Sequence, residues 1–256
     1  MEKAMSEDAY GEIAKYYDMI YGADIDYAEE ARGLHHLFRD NRASRVLDLA
    51  CGTGSHLVRL AEYGYTCAGV DISAGMLEKA REKAAARGLS VDFKRGDMRH
   101  LQPGETFDAV FSLYAVGLNS GLSETGETLR NVCSFLEKDG LFVFNVMNGH
   151  SPLWDESRPD NLTFDAGEEK DVKVLWMYKT VYERDFQRMD ATYVIVDGGR
   201  SSMVVHHHEI RNFTVESVET LLQESGLRLE SVYGSLTDLQ TFNGHEPAMT
   251  VLARKI

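Results

Sequence analysis

Residues 46–54 read Val-Leu-Asp-Leu-Ala-Cys-Gly-Thr-Gly, a short hydrophobic run that passes into a glycine-rich turn. The run predicts a buried strand over residues 45–49, and the amphipathic stretch over 55–63 predicts a helix. Glycines allow positive φ and remove side chains that would keep a ligand away from the backbone. In open α/β sheets, ligands bind at the carboxyl ends of the strands. The turn therefore predicts a ligand site at the end of the first strand.

The chain around this turn alternates between short apolar runs and amphipathic stretches from about residue 28 to residue 148. This alternation is typical of βαβ units and a parallel sheet. Ser73 is placed to cap a helix over 73–86, with Gly88 as its stop. Further strands are predicted at 66–70, 91–94, 109–113 and 141–146, and a further helix at 125–136, ended by residues 138–140.

Residues 172–212 differ, because long β-prone segments at 172–183, 189–196 and 202–211 are separated by short polar turns. They predict an antiparallel meander. A helix over 215–225 follows, with Thr214 as cap and Gly226 as stop, and then strands at 228–233 and 248–254. We expect one Rossmann-like α/β domain made of residues 1–150 and 213–256. Residues 151–212 are expected to form an antiparallel β insertion after the fifth strand.

The glycine turn is compatible with only some ligands. A dinucleotide fingerprint needs a third glycine three residues after Gly54, where this chain has Leu57. No lysine follows the glycines, so the turn is not a Walker loop. Asp71, 19 positions after Gly52, ends the second predicted strand, where a carboxylate can accept hydrogen bonds from ribose hydroxyls.

The pattern Asp48-x-x-x-Gly52-x-Gly54 resembles the first motif of the class I S-adenosylmethionine-dependent methyltransferases. The resemblance covers roughly residues 45–148 and implies a seven-stranded Rossmann-like methyltransferase sheet, with S-adenosyl-L-methionine as cofactor. It further implies that Asp97, in Gly96-Asp97-Met98, accepts from the adenine amine, and that the end of the fourth strand lies on the reaction side. The cofactor-binding residues predicted from the turn and from this resemblance are Asp48, Ala50, Gly52, Gly54, Asp71, Ile72, Met76, Asp97, Met98 and Leu113.

The leader Tyr16-Tyr17-Asp18-Met19-Ile20-Tyr21 resembles the lid of small-molecule N-methyltransferases that act on amino sugars. By that likeness, Tyr17 is a catalytic candidate and Tyr21 a cofactor contact, and residues 151–212 are a substrate cap. An aromatic contact of the leader with the core is the alternative. Leu118 stands where the resembled enzymes lead us to expect a polar or aromatic residue.

The run His206-His207-His208-Glu209 places only His206 and His208 on one strand face. Zinc needs three or four ligands, and no second ligand cluster is evident, so we expect no metal. His208 is the best candidate for a substrate-facing base.

The formal net charge of −14 disfavours nucleic acid as a partner, since it would repel a phosphate backbone. No apolar run approaches the length of a membrane span, and we expect no membrane partner. Three scattered cysteines and an N-terminus unlike a signal peptide favour a cytoplasmic protein. The expected partner is a small-molecule methyl acceptor, and the chain is expected to be a monomer or a homodimer.

Methyl transfer from a sulfonium is an in-line displacement that depends mainly on alignment. An alcohol usually needs a base, whereas an amine must only arrive neutral. The chain shows no obvious dedicated base, which favours nitrogen as the acceptor atom. Transfer to oxygen or carbon is the alternative in the same fold. An alternative of a different class is a non-catalytic regulator that binds the cofactor or its product. Leu57 disfavours a nicotinamide dehydrogenase.

Overall fold

The computed structural model describes residues 9–102, 104–152 and 161–256. Residues 1–8 and 153–160 lie outside the described part, and with them the N-terminal sequence that we compared with a signal peptide and the start of the predicted insertion. A short 3-10 helix (Ala9–Glu12) precedes the helices of the described residues, which are α1 (Tyr17–Tyr21), α2 (Tyr27–Asp40), α3 (Ser55–Glu62), α4 (Ala74–Ala86), α5 (Leu122–Phe135) and α6 (Val215–Glu224). The strands are β1 (Arg45–Leu49), β2 (Thr66–Asp71), β3 (Asp92–Arg95), β4 (Phe107–Ser112), β5 (Leu136–Asn148), β6 (Asn161–Glu169), β7 (Val172–Tyr182), β8 (Phe186–Asp197), β9 (Arg200–Phe213), β10 (Leu227–Tyr233) and β11 (Ala248–Lys255).

Seven of these strands form the central sheet, in the order β3-β2-β1-β4-β5-β11-β10. The first five are parallel, and β11 runs antiparallel to both of its neighbours. Two layers of buried apolar side chains, one on each face of this sheet, make the core. The predicted α/β Rossmann-like fold is confirmed, with more than seven strands in total because the insertion adds β6–β9.

The strand β1 lies between β2 and β4, with Asp48 opposite Gly69 on one side and Phe111 on the other. Because all three strands are parallel, their carboxyl ends meet at one edge of the sheet. This edge of the sheet therefore brings together the glycine turn, Asp71 and the residues after Ser112.

The predicted helix caps are present. Ser73 Oγ accepts from the N–H of Met76 at 3.2 Å, and Thr214 Oγ1 accepts from the N–H of Ser217 at 3.2 Å. Each hydroxyl satisfies a backbone donor that the first helical turn leaves free. Gly88 and Gly226, which follow the ends of these helices, have φ of 66° and 79°, conformations that glycine adopts without strain.

The boundary between α5 and β5 was predicted wrongly. The helix begins at Leu122 because Glu124 accepts from the N–H of Gly121 at 2.7 Å, and it ends at Phe135. The chain enters β5 at once, with Leu136 opposite Phe107, and the predicted turn over 138–140 forms a register shift within the strand. Asp139 has a φ of 61° there.

The strands β6–β9 form an antiparallel sheet that joins the central sheet only through two parallel pairs between β9 and the end of β5. The inner face of this insertion sheet buries Trp176, Tyr193 and Ile195 against Ile13 and Ile20 of the N-terminal segment. The edge strand β6 was not predicted: Leu162, Phe164 and Ala166 alternate with polar residues, but the alternation is short and nearly all the residues are exposed.

Candidate functional site

The glycine turn presents bare backbone above β1. Ala50, Gly52 and Gly54 have φ of 69°, 53° and 72°. A Cβ added to Gly52 would meet no protein atom within 4 Å, whereas one added to Gly54 would lie 3.0 Å from the Cβ of Ala80. The turn therefore needs glycine at 54 for packing, and at 52 it leaves open space for a ligand.

The turn is hydrogen-bonded to the end of β2. The N–H groups of Ala50 and Cys51 both donate to the carbonyl of Val70, at 2.8 and 3.0 Å. The Asp71 carboxylate accepts from the N–H of Gly52 and from that of Ser73, each at 2.8 Å. One buried carboxylate thus fixes both the turn and the start of α4.

A cavity of about 580 Å³ opens over these strand ends. The turn, the starts of α3 and α4, and the residues after β3 and β4 line it, together with tyrosines of the N-terminal segment. The predicted site residues on its wall are Tyr17, Asp48, Ala50, Gly52, Asp71, Ile72, Met76, Asp97, Met98 and Leu113. Gly54 lies beneath the turn, and Tyr21 and His208 are also outside the lining.

The acidic residues of the wall differ in their surroundings. Asp48 is fully buried beside Asp71, and burial together with that neighbouring charge raises the pKa of Asp48 well above its ordinary value. Asp97 accepts from Arg99, with Nε at 2.9 Å and Nη2 at 2.6 Å. These hydrogen bonds lower the pKa of Asp97. A cation beside Asp48 would lower the free energy needed to ionise that carboxyl. Asp97 already has stabilising hydrogen bonds as a carboxylate.

The tyrosine leader is fastened to the turn by Asp18. Its carboxylate accepts from Thr53 Oγ1 at 2.7 Å and pairs with Lys83 Nζ at 2.8 Å. Tyr17 faces the cavity, and burial, the largest of several causes, raises its pKa, so its hydroxyl donates rather than acts as a base. The ring of Tyr21 lies 4.5 Å from that of Tyr17, and its hydroxyl is 2.8 Å from the hydroxyl of Tyr193 in the insertion.

His208 lies behind Tyr10, with the two rings stacked at 5.6 Å between centres. Burial, the largest cause, and the neighbouring His206 and His207 lower the pKa of His208 to about 4, so its imidazole is neutral at neutral pH. Tyr10 itself lines the cavity. A catalytic role for His208 therefore stays a prediction, and it would need Tyr10 to move or to act as an intermediary.

A cluster on the wall of the cavity was not predicted from the sequence. His56 in the first turn of α3 contacts Glu30 of α2, with 2.7 Å between His56 Nε2 and Glu30 Oε2. The hydroxyl of Tyr114, just after β4, donates to the other oxygen of Glu30. Tyr27 packs edge-on against His56, and its buried hydroxyl has no hydrogen-bond partner among the described residues. Only the position of His56 two residues after Gly54 could have drawn attention to it.

Within residues 9–102, 104–152 and 161–256, no group of three or more His, Cys, Asp or Glu side chains is placed to hold a metal ion. No described helix combines the length and apolarity that crossing a membrane requires.

The family model described as a methyltransferase domain matches residues 46–140. A dTDP-3-amino-3,6-dideoxy-α-D-glucopyranose N,N-dimethyltransferase of Streptomyces fradiae is 30% identical over 246 residues, 93% of this chain and 92% of the relative. A dTDP-3-amino-3,4,6-trideoxy-α-D-glucopyranose N,N-dimethyltransferase of Streptomyces venezuelae is 31% identical over 242 residues, 90% of this chain and 96% of the relative. The chain belongs to the S-adenosylmethionine-dependent methyltransferases.

The fold of this methyltransferase agrees with that assignment. A crystal structure of an S-adenosylmethionine-dependent methyltransferase from Clostridium acetobutylicum superposes with a TM-score of 0.78 at 21% identity. The match covers 97% of this chain and 99% of the other, so it includes the insertion sheet. The predicted enzyme class and cofactor are confirmed.

The cavity of the methyltransferase fits the cofactor. The space over Gly52 would accommodate the methionine end, since no side chain fills it. A zwitterionic ligand could satisfy two buried polar groups, the carboxyl of Asp48 and the hydroxyl of Tyr27, which has no hydrogen-bond partner in the described part of the chain.

Proposed function

We propose that this methyltransferase transfers a methyl group to the amine nitrogen of a small molecule of the amino-sugar type. The observation that carries the proposal is the full-length likeness to two enzymes named as amino-sugar N,N-dimethyltransferases. The likeness covers the residues of the insertion sheet as well as the cofactor domain, and the insertion is where acceptor specificity would lie.

We propose the following cofactor contacts. The cofactor, when bound, supplies a methyl group on a positively charged sulfur. Asp71 lies at the end of β2, where its carboxylate oxygens can accept from ribose hydroxyls beyond the two N–H groups they already bind. Asp97 faces the adenine amine, Ile72, Met76 and Met98 cover the purine, and Leu113 lies on the reaction side.

The remaining wall suits an amine. The rings of Tyr10, Tyr17, Tyr27 and Tyr114 line the end of the cavity nearest the N-terminal segment and β4. Aromatic faces attract cations, and the net charge of −14 draws an ammonium toward the protein. The chain's own contribution is to align the nitrogen with the methyl carbon and to exclude water.

We propose that the insertion sheet acts as the substrate cap. The loop after β4 is hydrogen-bonded to β9, with the N–H of Arg211 donating to the carbonyl of Gly117 at 2.9 Å and that of Asn119 to Glu209 at 2.6 Å. Gly117 and Asn119 both line the cavity. A ligand that contacts the cap would therefore also lie next to the loop after β4, on the reaction side.

A nucleotide-linked sugar would bring phosphate charge to an acidic protein, and Arg211 offers local compensation. Its Nε is buried and has no hydrogen-bond partner among the described residues. A buried N–H group without an acceptor is unfavourable, so an anion beside the loop at Gly117 would satisfy it.

The acceptor can be tested directly with dTDP-3-amino-3,6-dideoxy-α-D-glucopyranose and its 3-hydroxy counterpart. With S-adenosylmethionine, mass spectrometry should show one or two added methyl groups on the amine and none on the alcohol. The amino sugar without the nucleotide is the matched control for phosphate recognition. Methylation of the alcohol alone, or none of either sugar or of a panel of small amines by a protein that binds the cofactor, would contradict an amine acceptor.

Asp71 can be tested separately from the acceptor. Because Asp71→Asn replaces a charged acceptor at the proposed ribose position, the Kd for S-adenosylmethionine should rise by about tenfold or more. Asp92→Asn, at an exposed position on β3, is the control and should leave the Kd unchanged. Calorimetry measures both, and thermal melting checks that the variants fold. Equal affinity in Asp71→Asn would remove Asp71 from cofactor binding.

Of the two oligomeric states expected, we favour the homodimer. The outer face of the insertion sheet carries large apolar residues on all four strands, and the register places them in adjoining rows. They are all exposed, with Phe164 at 75% and Met203 at 69%, and comprise Leu162, Phe164, Leu175, Met177, Val194, Met203 and Val205. Large contiguous apolar patches on a protein surface mark sites of protein–protein contact.

Light scattering after size exclusion tests this state. The wild type should elute with the mass of two chains. The double variant Phe164→Asp, Met203→Asp should elute as one chain because it places charges in the centre of the apolar face. Ile256→Asp, an equally exposed apolar residue elsewhere, is the control. A wild-type monomer at micromolar concentration would contradict the homodimer.

A further inference from the structure

The cluster of Glu30, His56 and Tyr114 has a defined proton arrangement. The Glu30 carboxylate accepts a hydrogen bond from the Tyr114 hydroxyl on one oxygen and from His56 Nε2 on the other. Burial, the largest cause, and the charge of Glu30 raise the pKa of Tyr114. Tyr114 therefore remains a donor, and Glu30 remains an acceptor for both neighbours.

This arrangement fixes the tautomer of His56. Since a carboxylate accepts, Nε2 must carry the hydrogen, and the neutral ring has its lone pair on Nδ1. No described residue hydrogen-bonds to Nδ1, and the ring lies on the cavity wall. The imidazole therefore offers the cavity a proton acceptor, held from behind by the Glu30 carboxylate.

With the cofactor bound as proposed, the cluster lies at the reaction end of the cavity. Tyr114 follows β4, and the ring of His56 contacts that of Phe111 on the same strand at 6.4 Å between centres. The adenine-side residue Asp97 and the ribose-side residue Asp71 belong to other strand ends. A proton acceptor is thus present where the methyl acceptor has to approach.

We propose that the Glu30–His56 pair takes the proton from the substrate ammonium; this rests on the proposed amine function. An amine of this kind is mostly protonated at neutral pH and has no lone pair to attack. His56 Nδ1 accepts one proton, the freed nitrogen lone pair forms the bond to the methyl carbon, and the carbon–sulfur electron pair stays on sulfur. The product leaves as a methylated ammonium, and the imidazolium returns its proton to solvent.

The charged and titratable groups around His56 come from several elements. On its own helix is Arg59, on α2 are Glu30 and Tyr27, after β4 is Tyr114, and Asp18 of α1 and Lys83 of α4 lie beyond Ser55. Glu30 is the charged group in direct contact with the ring.

The test compares His56→Gln with wild type across pH, using S-adenosylmethionine and dTDP-3-amino-3,6-dideoxy-α-D-glucopyranose. At neutral pH, kcat should fall about 100-fold, the lower end expected for loss of a proton acceptor. The loss should shrink as pH rises, because solvent then deprotonates the amine. Kd for S-adenosylmethionine should change by less than about threefold on the scale of one lost hydrogen bond. His35→Gln, on α2 but bonded to Tyr65, is the matched control.

Each outcome decides between the two proposals. The proton-acceptor role is wrong, and the amine function stands, if wild type methylates the amine and His56→Gln has the same kcat. The same conclusion follows if kcat of His56→Gln is reduced by the same factor at every pH and this variant binds the cofactor weakly. If wild type does not methylate amines, both fail. Nitrogen NMR of the His56 ring gives a readout independent of turnover: the proposal requires the Nε2–H tautomer in the neutral state, and Glu30→Gln should weaken that preference. The Nδ1–H tautomer would overturn it.

Discussion

The site depends on the hydrogen bonds that the carboxylate of Asp71 accepts. This carboxylate joins the N–H of Gly52 to that of Ser73, at 2.8 Å each, and so links the turn after β1 to the start of α4. These N–H groups would otherwise be unsatisfied at a buried edge of the sheet, which costs about 1–3 kcal/mol for each group. With them satisfied, the turn can keep the positive φ values that leave its backbone open to a ligand.

The other parts of the site are attached to this turn by long-range contacts. Asp18 holds the tyrosine leader to Thr53 and Lys83, and the hydroxyl pair of Tyr21 and Tyr193 joins the same leader to the insertion sheet. One segment of the chain thus joins the glycine turn to the insertion sheet.

Local patterns in the sequence were enough for the central sheet and the turn. Neighbouring residues in the sequence are enough to interpret the hydrophobic run at β1, the cap at Ser73 and the leucine at position 57. The strand β6 was missed because its alternation of Leu162, Phe164 and Ala166 is short and lies on an exposed face. The contact of Glu30 with His56 could not be found from local patterns, because its residues are 26 positions apart and belong to no shared motif.

The central claim is that the turn at Gly52 binds S-adenosylmethionine. Calorimetric titration of the wild-type chain with S-adenosylmethionine, and separately with NAD, tests it most directly. The account predicts saturable binding of S-adenosylmethionine at one site per chain and no measurable heat with NAD, since Leu57 replaces the glycine that a dinucleotide turn requires. Tight binding of NAD with none of S-adenosylmethionine would contradict it.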